Sequence, residues 1–148
     1  MVIRTMRAVA WMLVAAAAVF ALSGCNRASI GMKLVNGGAY PITEVLVYPM
    51  PAEGQAPGPE AQINHMPKDG SGSTIALLPN DQTILTGLFG QDVYEVAVTF
   101  YDSKTQTFRQ VLAPDPLDLT GVKRGSLVIL TAAMETNNAS TMTFEVLN

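Results

Sequence analysis

Two hydrophobic patterns divide the chain. From Ala8 to Leu22 every position is apolar, a run of fifteen, whereas after Cys25 apolar and polar residues mostly alternate with period two. Alternation of that kind is the signature of half-buried strands, and no later segment keeps a 3.6-residue period long enough for a helix. Val93 to Tyr101 is the clearest case: Tyr94, Val96, Val98 and Phe100 share one face, with Glu95, Ala97, Thr99 and Tyr101 opposite. Met142, Phe144 and Val146 alternate with Thr141, Thr143 and Glu145 in the same way. Ile42 to Tyr48 is apolar on both faces, which predicts an inner strand, and Leu127 to Leu130 is a short continuous run suited to a sheet centre. Met32 to Val35, Thr74 to Leu78, Thr83 to Leu88 and Thr107 to Leu112 complete the predicted strands.

Turn chemistry falls between these runs. Asn36-Gly37-Gly38, Pro79-Asn80-Asp81, Asp102-Ser103-Lys104 and Asp115-Pro116 each place residues that tolerate tight or left-handed backbone between two predicted strands. Short, evenly spaced strands with turns between them predict an all-β fold: an antiparallel β-sandwich of seven or eight strands, immunoglobulin-like or transthyretin-like, with a small barrel as the alternative. The folded domain is expected over residues 32–148. One segment interrupts the rhythm. Pro49 to Gly72 holds five prolines and four glycines, and so long an excursion is either a mobile surface loop or a binding loop at one end of the sandwich. Ile63, His65 and Met66 are the side chains in it that could contact a partner.

The apolar run is a leader. Fifteen residues fall short of the ~20 needed to span a bilayer, and Arg4 and Arg7 precede them with no acid, as in a secretory signal. Leu22-Ser23-Gly24-Cys25 follows at once and resembles the lipobox of bacterial lipoproteins. That resemblance implies a signal peptide over residues 1–24, recognition of Leu22, Ser23 and Gly24 by the lipoprotein signal peptidase, and a diacylglycerol thioether on Cys25. The chain's only cysteine thus stands where a lipid would use it. Residues 25–31 form the lipidated start and a short tether, six residues from Asn26 to Gly31, which reach at most ~20 Å. The expected location is the cell membrane or the outer membrane, facing the periplasm, and Asn26, where an Asp would retain enterobacterial lipoproteins in the inner membrane, favours the outer one. Removal of the leader takes two arginines and Trp11, leaving 7 basic and 12 acidic side chains and a formal charge of −5.

Within the mature chain, Lys33-Leu34-Val35-Asn36 followed by Ile42-Thr43-Glu44-Val45-Leu46-Val47-Tyr48-Pro49 is similar to the opening of small secreted bacterial β-sandwich domains. Leu78-Pro79-Asn80-Asp81-Gln82-Thr83 and Tyr94-Glu95-Val96 resemble a later turn and strand of those domains, with Glu95 in place of their usual Asp. The likeness bears on fold more than on function.

Candidate chemistry is sparse. A single histidine leaves no multi-histidine zinc site, and no nucleophile elbow, Ser-x-x-Lys, P-loop or dinucleotide fingerprint is present. Asp115 with Asp118, and Asp69 beside Gly70-Ser71-Gly72-Ser73, could offer oxygens to calcium but fit turn formation better. Five methionines remain after the leader, without Met-x-x-Met spacing, and read as core filling. A net acidic chain whose only adjacent basic pair is Lys123-Arg124 lacks the clustered positive face that nucleic acid requires. Arg109 and that pair read as edge charges or as contacts for lipid headgroups. We therefore expect no enzyme, no cofactor, no metal and no nucleic acid. The expected function is a membrane-anchored envelope lipoprotein, a non-catalytic interaction or structural module with an envelope protein partner. The alternative is a ligand-binding or inhibitory lipoprotein that captures a peptide, glycan or small apolar molecule on Tyr40, Tyr48 and Tyr101.

Overall fold

The computed structural model describes residues 30–148, so the leader, Leu22, Ser23, Gly24 and Cys25 lie outside the described residues. Eight strands follow in order: β1 (Gly31–Asn36), β2 (Ile42–Pro49), β3 (Gln82–Ile84), β4 (Val93–Asp102), β5 (Thr107–Leu112), β6 (Leu117–Asp118), β7 (Leu127–Met134) and β8 (Ser140–Leu147). The described residues contain no helix long and apolar enough to cross a membrane.

The strands form two sheets packed face to face. One has the order β3-β1-β7-β8; the other is β2-β4-β5, with β6 pairing on β4. This is the predicted sandwich, and among the described residues no strand ladder joins the two sheets into a barrel. Its pairings are antiparallel with one exception: β1 and β7 run parallel over six residue pairs, from Gly31↔Leu127 to Asn36↔Ala132. β5 and β6 lie in succession along the same side of β4, separated by Ala113-Pro114-Asp115-Pro116, whose prolines cannot continue a ladder.

The period-two pattern converts directly into burial. Tyr94, Val96, Val98 and Phe100 of β4 face Met32 and Leu34 of β1 and Val128 and Leu130 of β7 in one core. The other face of β4 is covered as well. Ala97 is buried with Leu46 and Tyr48, and Ala61 of a short 3-10 helix (Pro59–Gln62) packs on them. That cover corrects the expectation for β2. The strand is apolar on both faces yet forms a sheet edge, because a piece of the Pro/Gly-rich segment lies over its outer side. A bulge between Ile42 and Glu44 shifts its parity, so Ile42, Val45 and Val47 enter the main core while Leu46 and Tyr48 face outward.

Two further expectations change. Thr74 to Leu78 is not a strand but touches its neighbours through single bridges, Lys68↔Thr74 and Ile42↔Leu77. Thr83 to Leu88 shortens to β3, since at Gly87, with φ +99°, the chain turns back to pair Phe89 with Ile30.

The end of β1 is fixed by a buried asparagine. Asn36 Nδ2 donates to the Tyr40 and Leu77 carbonyls at 2.9 and 3.0 Å, and its Oδ1 accepts from Gly38 N–H at 3.1 Å. Beside it a Cβ on Gly38 would stand 2.3 Å from the Met134 nitrogen, so only glycine fits. Replacing Asn36 with leucine leaves the Gly38 N–H and the Tyr40 carbonyl without this partner and takes one of two bonds from the Leu77 carbonyl, which keeps the one from Ile42 N–H; a buried polar group left unsatisfied costs roughly 1–3 kcal/mol. Asn36→Leu should therefore lower the unfolding free energy by about 3 kcal/mol, as measured by urea denaturation. A loss under about 1 kcal/mol would mean that water takes over these bonds.

Candidate functional site

The two sheets present four edges, and the chain treats them unequally. On one side β2 is closed, and tied to the chain just past β3, by the segment that was expected to be a loop. Asn64 Oδ1 accepts from Val45 N–H at 3.1 Å and from Met66 N–H at 3.0 Å, while Nδ2 donates to the Thr43 carbonyl at 3.3 Å. His65 N–H donates to the Val45 carbonyl at 2.9 Å, and the His65 carbonyl accepts from Thr86 N–H at 2.7 Å and Thr86 Oγ1 at 3.0 Å. Leu77 exchanges both backbone bonds with Ile42. Residues 64–66 thus join β2 of one sheet to the strand end following β3 of the other.

The three residues nominated for a binding loop are placed differently by this arrangement. Met66 is 1% exposed and belongs to the core. The His65 ring stands edge-on to Phe89, with Nδ1 2.8 Å from the Thr86 carbonyl and Nε2 3.2 Å from that of Val47. A neutral imidazole has one N–H, so it donates to one of these carbonyls at a time. Only Ile63, half exposed, offers its side chain to solvent. His65 is therefore a positioning side chain, and no Ser-His-Asp grouping involves it among the contacts that it makes.

The tyrosines do not assemble into one surface. Tyr40 packs on the main core and Tyr48 is buried in the smaller cluster. Burial, reinforced by a hydrogen bond to Glu95 and its charge, raises the Tyr48 phenol above its ordinary value. Tyr101 stacks on Phe108 at 4.8 Å between ring centroids. Tyr48 is opposite Glu95 on β4, six residues from Tyr101, or roughly 20 Å along the strand.

The candidate calcium carboxylates are engaged locally. Asp69 Oδ1 accepts from Ser71 N–H, Ser71 Oγ and Ser73 N–H at 2.8, 2.6 and 3.0 Å. Asp118 Oδ1 accepts from Thr120 N–H and Oγ1 at 2.9 and 2.6 Å. Among the described residues no three His, Cys, Asp or Glu side chains are grouped to hold a metal ion. Hydrogen bonds hold Asp69 and Asp118, and likewise the turn residue Asp102, below the ordinary 3.8: chiefly the Ser71 hydroxyl for Asp69, the Thr120 hydroxyl for Asp118 and the Lys104 N–H for Asp102.

The opposite side of the sandwich is open. Among the described residues β5 pairs only with β4, and β8 only with β7. Ala113 N–H bonds to the Val96 carbonyl, so by alternation Phe108, Gln110 and Leu112 turn their backbone groups away from β4. Glu135 N–H bonds to the Ala139 carbonyl, which by the same rule turns those of Met142, Phe144 and Val146 away from β7. Between the two edges lies a cavity of about 380 Å³ bordered by Val111, Leu112, Pro114, Met142 and Thr143. Leu112, which borders it, is 52% exposed, and farther along β5 Phe108, 67% exposed, lies against Tyr101. This groove is the candidate site. Sequence pattern alone could not find it, because it is made by strands distant in the chain.

Comparison with known proteins gives no match to a protein family, to a curated protein or to a solved structure.

Two outcomes follow for the sealed side and the turns. Asn64→Ala removes the acceptor for Val45 and Met66, so it should cost about 2 kcal/mol and speed amide exchange at Val45 in hydrogen-exchange mass spectrometry far more than at Val98. Unchanged exchange at Val45 would contradict the edge-closing role. Carboxyls whose folded pKa is depressed add stability that is complete above about pH 5 and is lost as pH falls through 3.8 and below. Tm should drop over that window, and the drop should be smaller in an Asp69→Asn, Asp102→Asn, Asp118→Asn variant.

Proposed function

We propose that this chain is a lipid-anchored bacterial envelope protein whose sandwich acts as a non-catalytic interaction module, receiving an extended segment of an envelope protein along its open side. The observation that carries the reading is the asymmetry of the edges. A bare edge is a template for another strand and is ordinarily blunted by charge, proline or cover. This chain covers β2 with its own residues 64–77 and ties them to Thr86 just past the short β3, yet among the described residues it leaves β5 and β8 bare around an apolar groove. Strand addition takes its affinity from backbone bonds and its selectivity from pockets for alternate side chains, and the groove supplies the second. Support for the anchor comes from the sequence: Leu22-Ser23-Gly24-Cys25 directly after a signal core, with Asn26 favouring the outer membrane.

Crosslinking the full-length protein in cells, followed by affinity capture and mass spectrometry, tests both halves. A specific envelope protein should be captured by the wild type and lost with Cys25→Ala. It should also be lost with Gln110→Pro, which removes an outward N–H from β5 without breaking a bond to β4. Only abundant bystanders, equal in all three samples, would overturn the interaction reading. A partner retained by Gln110→Pro, and by Phe144→Pro on β8, would move the contact away from the open side.

A further inference from the structure

The end of the sandwich at which the fold begins has an unusual makeup. Ile30 is bridged to Phe89, its N–H 3.3 Å from the Phe89 carbonyl and its carbonyl 2.9 Å from the Phe89 N–H. Leu88, one residue away at the tip of that turn, is 61% exposed. Gly31 pairs with Leu127, which pairs with Leu147, so the last cross-strand row of the first sheet at this end carries no charge. Its outer face is made by Leu127, lying against Gly31, and by Leu147, 43% exposed. Exposed Lys123 sits in the connection that leads into Leu127. Two rows inward, on the same face, Ile84, Lys33, Ile129 and Glu145 are the first to hold charges.

The remaining ends and faces differ. At the far end the turns carry Asp81, Asp102, Lys104 and Glu135. On the second sheet's half of the anchor end stand two carboxylates, Asp92, accepting from Val93 N–H, and Asp118, held ionised by Thr120. An anionic bilayer attracts basic side chains near its surface and repels such carboxylates.

We propose that the bilayer surface itself is the ligand of this end: Leu88, Leu127 and Leu147 rest in the interfacial layer, Lys123 faces the lipid phosphates, and the domain leans onto its first sheet. The proposal rests on the reading of Cys25 as the lipidated residue. Given that reading, only Asn26 to Ser29 separate the anchor from Ile30, so the two Cα atoms stand at most ~18 Å apart. The tether is thus shorter than the six residues expected from sequence, since the fold already starts at Ile30. At that distance an acylated Cys25 holds Leu88 within reach of the headgroups, and two exposed leucines with the half-buried Leu127 suffice because the anchor has already removed the cost of bringing the domain to the membrane.

The test uses the full-length lipidated protein in vesicles of phosphatidylethanolamine and phosphatidylglycerol. With Cys25 acylated, a Leu88→Cys variant offers one free thiol for an environment-sensitive fluorophore, and Ser103→Cys places the same label at the far end. The expected result is a blue shift and several-fold weaker quenching by an aqueous quencher at position 88, with neither at position 103. Adding Lys123→Glu should restore much of the quenching at 88, whereas Lys104→Glu should not. Vesicle-bound protein whose two labels are quenched alike would overturn the proposal while leaving the anchor reading intact. Protein that stays off the vesicles, with Cys25 still reactive as a second thiol, would overturn the anchor reading and this proposal with it.

Discussion

Everything else in this fold depends on how the unpaired backbone of β2 is satisfied. A sandwich without a described cysteine is held by its core, and a core of this size needs both sheets kept in register along at least one side. Asn64 and His65 provide that register. The Asn64 side chain occupies the place of a neighbouring strand, accepting from Val45 and donating to Thr43 where the bulge leaves a carbonyl without a ladder partner. One residue later the His65 backbone bonds outward to Val45 and onward to Thr86. Met66 then enters the core, so the join is locked by burial as well as by hydrogen bonds. Removing any one of the three loosens the other two, because each fixes the backbone on which the next depends.

Much of the architecture was legible in the sequence because burial in a sheet has period two. The face of β4 made by Tyr94, Val96, Val98 and Phe100, the central β7 and the alternation of β8 all follow that rule. Where the reading departed from the structure, a side chain or distant segment had taken over a role that pattern assigns to a strand. β2 looked internal because both of its faces are apolar, and pattern cannot tell an inner strand from an edge covered by a 3-10 helix. Prolines and glycines between 49 and 72 signalled a loop correctly at the level of backbone, but not that Ala61 and Met66 would be packed against the sheets. The parallel pairing of β1 with β7 leaves no local trace at all, since it joins residues about a hundred positions apart.

The candidate sites divide along the same line. A resemblance to a lipobox rests on contiguous residues, so at Leu22 to Cys25 it can be read without a fold. The open groove could not, because Val111 and Met142 become neighbours only through the topology. His65 drew attention as the single histidine, and its surroundings make it structural, with a carbonyl beside each ring nitrogen and the Phe89 ring packed edge-on. Lone chemistry-bearing residues in a β-domain are often of this kind, since a side chain with two nitrogens is well suited to connect two strands that lack ladder partners.

Sealed side, open side and the end at which β1 begins are also related in space. β1, β4 and β7 run away from the end at which the chain leaves toward Cys25, whereas β5 and β8 run back toward it. If that end rests on a bilayer, both bare edges stand upright from the surface, with Thr107 and Ser140 uppermost and Leu147 lowest. A segment pairing with either edge would then approach laterally and lie along the membrane normal, without displacing lipid or crossing the hydrogen-bonded side. Prolines 114 and 116 interrupt the second sheet's edge between β5 and β6, so on that edge only the upper portion is free to pair, the portion farthest from the headgroups. β8 has no such break and remains pairable down to the interface. An envelope protein strand emerging from the bilayer would therefore meet β8 first, and one descending from a periplasmic assembly would meet β5.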